Sequence, residues 1–149
     1  MASPTTHPCL FCQIIRGDIP SYTVFDDDVS LAFLDHRPLF PGHCLLVPKL
    51  HYETLLDLPP TLIAPLFGNV QLLARAVEQS LEAHGSFVAI NNRVSQSVPH
   101  LHIHVVPRRR KDGLKGFFWP RQPYRDEASM RRVQQTLRAA IAQLHKESL

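Results

Sequence analysis

Three histidines alternate with apolar residues between Pro99 and Pro107, and this spacing is the feature of the chain that most directly suggests chemistry. Side chains of a β-strand point to opposite faces in turn, so His100, His102 and His104 are predicted to share one face. The apolar residues between them would pack on a core. Imidazole acts as a nucleophile, as a general acid or base, or as a metal ligand, and the pattern leaves these roles open.

The order of the motifs resembles that of the histidine triad (HIT) family of nucleotidyl hydrolases and transferases. The triad segment has the family's alternation, and three segments upstream of it follow in the family's order. These are residues 9–20, 32–35 and 41–51. The resemblance covers residues 9–109 and implies a HIT-like fold. The chain resembles the bacterial type of this family, which has a Cys-x-x-Cys segment near the N-terminus.

Hydrophobic periodicity predicts an α+β architecture with about five mostly antiparallel strands, one central helix and one C-terminal helix. Four strands are expected before the triad strand, at residues 22–25, 29–34, 43–48 and 86–90. Apolar residues at helical spacing from Leu62 to Leu81 predict the central helix, with Gly85 just beyond its end. A second apolar stripe, from Met130 to Leu144, predicts the C-terminal helix over residues 128–144.

Length and composition indicate one globular domain over residues 1–149, with a core at 9–109 and a C-terminal extension at 110–149 that carries the amphipathic helix. The net charge of +3 is mild and comes without a nucleic-acid-binding motif, so we expect no nucleic-acid partner. The sequence contains neither a transmembrane run nor a signal peptide, and we expect a cytoplasmic protein with no membrane partner.

Cys9-x-x-Cys12 suggests a zinc site if two more ligands exist, and otherwise a pair of reduced thiols. The only other cysteine is Cys44, so a disulfide framework is not expected. The family resemblance implies the full ligand set, which is Cys9, Cys12, His51 and His100. Such a closed site would be structural. No catalytic metal is required, because histidines and backbone amides supply the positive field.

The resemblance also implies where a nucleoside would bind. Phe11, Ile15 and Phe33 would contact the base, and the Asp35 carboxylate would accept hydrogen bonds from the ribose hydroxyls. The alternative for the three apolar residues is that they belong to the core.

A polar loop over residues 91–97 leads into the triad, and its backbone N–H groups and hydroxyls suit a phosphate. The resemblance implies that Asn91, Gln96 and Ser97 serve the phosphate and the leaving group. The loop is about two residues shorter than the family pattern, and Ser95 stands where glycine is common. Asn92 is therefore an alternative to Asn91, and Arg93 is a candidate for contacting a second phosphate.

The mechanism implied by the resemblance is hydrolysis at the α-phosphorus of a purine nucleotide conjugate, through a covalent nucleotidyl-histidine intermediate. The conjugate would be a phosphoramidate, an adenylate or a dinucleoside polyphosphate. His102 would attack, and water would resolve the intermediate. His104 would donate a hydrogen bond to a phosphate oxygen, Ser97 would donate to the leaving group, and His100 would lie nearer the zinc site.

Two other functions stay open. The chain could be a catalytically idle nucleotide-binding protein, or a zinc metallohydrolase that uses the triad histidines as ligands. The second is disfavoured, because the alternation spreads the three rings along about 13 Å of strand.

The resemblance further implies a homodimer that uses the central helix. The aromatic cluster at residues 116–120 would cap the nucleotide pocket, pack across the dimer or cover exposed core.

Overall fold

The computed structural model describes residues 9–115 and 121–148. The chain divides into two compact units, of which the first ends at Asp112 and the second begins at Gly113. The helices of the first unit are α1 (Leu10–Arg16) and α2 (Pro60–Ser80), with a 3-10 turn at Leu55–Asp57. Its strands are β1 (Thr23–Asp26), β2 (Ser30–Leu34), β3 (Cys44–Pro48), β4 (Gly85–Ala89) and β5 (Ile103–Arg108). The described part of the second unit contains α3 (Glu127–Glu147).

The five strands form one antiparallel sheet in the order β1-β2-β3-β5-β4. This confirms the α+β class and the five-stranded antiparallel sheet that the sequence predicts. Each face of the sheet packs against a helix. On one face, α2 buries Leu66, Val70, Leu73 and Val77 against Ala32, Cys44, Leu46, Leu101, Ile103 and Val105. On the other face, Phe11 of α1 packs against Leu31, Phe33, Leu45 and Val47.

The end of α2 differs from the expectation that Gly85 follows it. The helix ends at Ser80, and Gly85 is the first residue of β4. Glu82 adopts the left-handed conformation, with φ of 51°, and Ala83 donates its N–H to the Glu78 carbonyl at 3.1 Å. This is the pattern of a Schellman motif, built here around a glutamate where glycine is usual. The remaining residues before β4 form the turn into the strand.

Helix α1 was not expected, because seven residues are too few to show a helical period. Its two ends are nevertheless well defined. The Cys9 thiol accepts the N–H of Cys12 at 3.4 Å, and Gly17 closes the helix in the left-handed conformation with φ of 82°. This short helix places the Phe11 side chain against the sheet.

The triad strand begins later than the alternation predicts. β5 starts at Ile103, so His100 and His102 precede it. The His100 N–H bonds to the Val98 carbonyl at 2.8 Å, and the Leu101 N–H bonds to Tyr52 at 2.7 Å. These two bonds turn the chain before it joins β3, which explains the delayed start.

Asp126 caps the N-terminus of helix α3, where its carboxylate accepts the Ser129 N–H at 2.7 Å. It confirms the predicted C-terminal helix. No residue whose side chain is described is buried in α3. The aromatic cluster at residues 116–120 lies outside the described residues. Among the described helices, none is long and apolar enough to cross a membrane.

The turn between β1 and β2 is fastened to α2 by Asn69. Its side-chain N–H₂ donates to the Asp27 carboxylate and to the Ser30 hydroxyl, both at 2.8 Å, and Ser30 is fully buried. We expect Asn69→Ala to lower the free energy of unfolding by about 1–3 kcal/mol, because the buried Ser30 hydroxyl and the partly buried Asp27 carboxylate each lose a hydrogen bond. Urea denaturation measures this, with the exposed neighbour Gln71→Ala as the control. Equal stability of the two variants would contradict the assignment.

Candidate active site

A cavity of about 600 Å³ lies in the first unit, between α1, the end of β2 and the triad segment. Six of the residues that the sequence singles out line it. They are Phe11, Phe33, Asp35, Ser97, His102 and His104. Apolar rings and an acidic group therefore occupy the same cavity as two triad histidines.

Three other predicted nucleotide-binding residues do not line this cavity: Ile15, Asn91 and Gln96. Ile14 lines the cavity in place of Ile15, and both residues pack against the core cluster that contains Phe11. Ile14 lies four residues after Leu10 and three after Phe11, which also line the cavity, so these three residues share one face of α1.

The loop before the triad is held by its own side chains. Gln96 donates to the Glu53 carbonyl at 2.6 Å, and its amide oxygen accepts the Arg93 N–H at 2.8 Å. Asn92 accepts the Leu55 N–H at 3.0 Å. Arg93 and Ser95 both adopt positive φ, at 69° and 61°. The polar side chains of this loop thus fix its shape, and the hydroxyl of Ser97 is the group that reaches the cavity.

The three triad rings follow one another on the side of the sheet that faces α1. The Phe11 ring packs edge-to-face on His100 and His102, with centroids 6.0 and 5.1 Å apart. The centroids of His102 and His104 are 5.0 Å apart. The shared face that the alternation predicts is therefore present, although only His104 belongs to β5.

The hydrogen bond of His102 determines which ring nitrogen is available. Its Nδ1 lies 2.7 Å from the His100 carbonyl oxygen, which can only accept. We assign the proton to Nδ1 on this ground. The lone pair of neutral His102 is then on Nε2, which is the nitrogen that can attack an electrophile.

His104 is oriented by a histidine that the sequence analysis assigns no role, His43. The Leu39 N–H donates to His43 Nδ1 at 3.1 Å, so the proton of neutral His43 is on Nε2. That nitrogen lies 3.0 Å from His104 Nδ1 and donates to it. By the same reasoning, His104 carries its proton on Nε2 and can donate a hydrogen bond.

A sequence signal for His43 exists in retrospect. It precedes the fully apolar strand β3 by one residue, and β3 pairs with β5 so that Leu45 lies opposite His104. His43 lies just before a buried strand and is only 3% exposed, so its ring nitrogens need hydrogen-bond partners within the protein. Pairing cannot be read from the sequence alone, which is why this partner was missed.

Burial keeps the paired histidines neutral. It lowers the pKa of His104 to about 4, with the nearby His102 and His43 adding to the effect and Asp35 opposing it. Burial also lowers the pKa of His43, against the opposing charge of Asp35. Both rings therefore act at neutral pH as hydrogen-bonding groups without charge.

Asp35, His43 and His104 bring three potential ligand atoms within 4.8 Å of one another. A metal bound to His43 Nε2 would require a proton on Nδ1. The Leu39 N–H already points at Nδ1, so that proton has no room. This cluster fits a hydrogen-bonded chain and does not fit a metal site.

A second cluster contains the four residues expected to hold zinc: Cys9, Cys12, His51 and His100. Their ligand atoms also lie within 4.8 Å of one another. The Cys9 thiol lies 3.4 Å from His100 Nδ1, and the Cys12 thiol lies 3.3 Å from His51 Nδ1. The other nitrogen of His100 donates to the Pro48 carbonyl at 2.9 Å, which leaves the Nδ1 lone pair facing the cluster.

The donor set of this cluster fits zinc. Two sulfurs and two imidazole nitrogens are what a closed structural zinc site uses. The bond from His100 to Pro48 is the outer contact that fixes the orientation of a metal-ligating histidine. Burial lowers the pKa of His100 to about 4, so this ring is neutral and can coordinate a metal.

Comparison with known proteins decides the family. Residues 16–111 match the family model described as the HIT domain. The chain belongs to the HIT family. The structural similarity is consistent with this: a zinc-bound histidine triad family protein from Mycobacterium smegmatis superposes with a TM-score of 0.68 at 40% identity, covering 93% of this chain and 96% of that one.

Two HIT relatives have named activities. The chain is 37% identical over 115 residues to the adenylylsulfatase HINT3 of Arabidopsis thaliana, covering 76% of this chain and 58% of that longer protein. It is 32% identical over 152 aligned positions to the adenosine 5′-monophosphoramidase HNT1 of Saccharomyces cerevisiae, covering 100% of this chain and 87% of that protein. HIT relatives therefore act on nucleotide substrates.

The low pKa of His104 predicts a pH dependence of stability. In the unfolded chain the ring binds a proton near pH 6.5, whereas in the folded protein it does so only near pH 4. The unfolded state thus binds more protons between these values, and stability falls as the pH drops from 6.5 to 4. We expect the loss from this residue to reach roughly 3 kcal/mol at most.

Urea unfolding at several pH values tests this. His104→Gln should lose less stability than the wild-type protein between pH 6.5 and 4, while the exposed His145→Gln should follow the wild type. Parallel curves for the wild-type protein and His104→Gln would show that His104 titrates normally.

Proposed function

We propose that this protein is a nucleotide hydrolase that attacks the α-phosphorus of a purine nucleotide conjugate through a covalent nucleotidyl-His102 intermediate. The conjugate is a phosphoramidate, an adenylate or a dinucleoside polyphosphate. The observation that carries the proposal is the bond from His102 Nδ1 to the His100 carbonyl at 2.7 Å, because it directs the Nε2 lone pair outward. The relatives named for adenylylsulfatase and monophosphoramidase activity support the substrate class.

The cavity suits a nucleoside beside the nucleophile. Phe11 and Phe33 supply an apolar wall, with their ring centroids 5.5 Å apart. The Asp35 carboxylate lines the same cavity and can accept hydrogen bonds from ribose hydroxyls. One of its oxygens already accepts the Arg37 N–H at 2.9 Å, which fixes its orientation.

In the first step, His102 Nε2 attacks the α-phosphorus, and the bond to the leaving group breaks with its electron pair going to that group. The Ser97 hydroxyl donates a hydrogen bond to the leaving group, which takes up its proton from solvent. The positive charge that develops on the His102 ring is stabilised by the His100 carbonyl, which accepts the Nδ1–H. In the second step, water attacks the phosphorus, Nε2 departs with its electron pair, a water proton passes to solvent, and the mononucleotide is released.

His104 stabilises the negative charge on the phosphoryl oxygens in both steps. Its Nε2–H is the donor, and the chain from Leu39 through His43 maintains that tautomer. His43 is thus a positioning residue, since it acts through His104. A neutral donor suits this role, because it keeps its proton when the phosphoryl group leaves.

Cys9, Cys12, His51 and His100 would hold a structural zinc ion, and the zinc-bound mycobacterial relative supports this assignment. Bound zinc supplies a rigid crosslink between the start of α1 and the triad segment. His100 itself connects that crosslink to the nucleophile, because its side chain joins the cluster and its carbonyl holds His102.

Several earlier expectations remain proposals here. Asn91 and Gln96 would assist the phosphate through the backbone of their loop, the chain would form a single HIT domain and a homodimer, and the protein would act in the cytoplasm. No catalytic metal is part of this mechanism.

Replacing the nucleophile tests the mechanism. We expect His102→Ala to lower turnover of adenosine 5′-phosphoramidate by on the order of 10⁴-fold or more, because no other side chain replaces the attacking lone pair. Binding of 5′-AMP, measured by calorimetry, should stay close to wild type. Rapid quenching followed by intact-mass analysis should detect an adenylyl adduct on the wild-type chain and on the matched histidine control His145→Ala, and none on His102→Ala.

Each other outcome has a distinct meaning. Near-normal turnover by His102→Ala would refute the covalent mechanism. Tight binding of 5′-AMP by the wild-type protein, with no product from any adenylyl conjugate, would indicate an idle nucleotide-binding protein.

The zinc assignment predicts one equivalent of zinc per chain by elemental analysis. Cys12→Ser should lose most of this zinc, and its thermal midpoint should fall by roughly 5 °C or more, because metal binding contributes to folding. Cys44→Ala removes a thiol on the opposite face of the sheet and should keep the zinc. Equal zinc content in Cys12→Ser and the wild-type protein would contradict the ligand set.

A further inference from the structure

Helix α3 carries a continuous apolar stripe that is exposed within the described part of the second unit. Its members are between 41% and 63% exposed, and they are Met130, Val133, Leu137, Ile141 and Leu144. Their spacing of three or four residues keeps all five on one side of the helix. Tyr124, just before the helix, is also 53% exposed.

This stripe needs an occupant for physical reasons. A helix of 21 residues extends roughly 31 Å. In water, most of a helix's stability comes from packing an amphipathic face, and propensity alone leaves it marginal. The ion pair between Arg131 and Glu127, at 2.6 Å and largely exposed, adds only a few tenths of a kcal/mol.

The charges beside the stripe identify the chemistry of the occupant. Arg131, Arg138 and His145 each follow a stripe residue by one position, so they form a row along one edge of it. Residues 113–149 contain seven lysines and arginines against three acidic residues, a net charge of +4. The remaining 112 residues have a net charge of −1. The positive charge of the chain is thus concentrated around α3.

A second copy of α3 is a poor occupant. Pairing two such helices would bring two sets of arginines together, and like charges oppose association. A stable interface uses about 20–30 residues from each side, whereas one face of α3 offers fewer than half of that number. An anionic surface has neither disadvantage.

We propose that α3 binds reversibly to an anionic phospholipid surface. The apolar stripe enters the boundary between headgroups and acyl chains, and the neighbouring arginines contact the lipid phosphates. The helix lies on the membrane and does not cross it, in keeping with its charge and with the absence of a spanning helix among the described residues. This inference replaces the expectation of no membrane partner and does not depend on the catalytic proposal.

Vesicle sedimentation of the full chain tests the proposal. We expect binding to vesicles of phosphatidylcholine mixed equally with phosphatidylglycerol, and none to phosphatidylcholine alone. The double variant Arg131→Gln/Arg138→Gln should bind on the order of 30-fold more weakly, because each cation near an anionic surface contributes about fivefold. The double variant Leu137→Gln/Ile141→Gln should also lose binding, since the apolar contact is removed.

A matched control separates location from net charge. Arg16→Gln/Arg75→Gln removes the same charge from exposed positions of the first unit, and it should bind like the wild-type protein. Binding should weaken as salt rises from 0.1 M to 1 M, where the screening length falls from about 10 Å to about 3 Å. Circular dichroism confirms that every variant is folded.

Four results would overturn the proposal. These are no binding to anionic vesicles, binding that both α3 variants retain, binding lost equally by the control, and a single-stranded oligonucleotide bound through the same arginines while vesicles are not. A fall in molar mass for Leu137→Gln/Ile141→Gln, without any vesicle binding by the wild-type protein, would instead assign the stripe to a second copy.

Discussion

The hydrogen bond between His102 Nδ1 and the His100 carbonyl is the interaction on which the site depends. At 2.7 Å, and with His102 only 5% exposed, it permits one tautomer of the ring. The residue that supplies the carbonyl is held at both of its ring nitrogens, by Pro48 at the end of β3 and by the Cys9 and Cys12 thiols. The proposed nucleophile, His102, is therefore connected to the sheet and to the start of α1 through a single residue.

The tautomer of His104 is also fixed by a hydrogen bond, here one that begins at a backbone N–H. The Leu39 N–H donates to His43 Nδ1, so His43 carries its proton on Nε2 and donates it to His104 Nδ1. His102 is thereby left with a free lone pair on Nε2, and His104 with a free N–H. For His104, burial maintains this state, because it lowers the pKa of the ring and disfavours the charged form that would donate from both nitrogens.

The sheet separates these hydrogen-bonded histidines from the apolar core that packs against α2. Ile103 and Val105 face α2, whereas His104, between them, faces α1. This alternation is a property of any strand, which is why the triad, the antiparallel sheet and α2 could be predicted from residue spacing. The two cysteines and His51 were predictable by resemblance, and the fold brings their ligand atoms together with His100.

What the sequence could not predict depends on contacts between distant residues. His43 precedes an apolar strand and looks unremarkable until strand pairing brings it to His104, 61 residues away. The resemblance implies Ile15 as a contact of the base, whereas Ile14 lines the cavity. The sequence does not reveal the short helix α1, whose phase decides which of the two faces the cavity. Gln96 looked like a phosphate ligand, but its amide is hydrogen-bonded to Glu53 and Arg93.

The measurement that tests this account most directly is the tautomeric state of the triad, read from long-range proton–nitrogen NMR correlations of the ¹⁵N-histidine-labelled protein at neutral pH. The account predicts that His102 carries its proton on Nδ1 and His104 carries its proton on Nε2. In His43→Phe, the His104 pattern should change while that of His102 persists. A proton on Nε2 of His102 in the resting protein would contradict the account, because the lone pair would then face the His100 carbonyl and could not attack phosphorus.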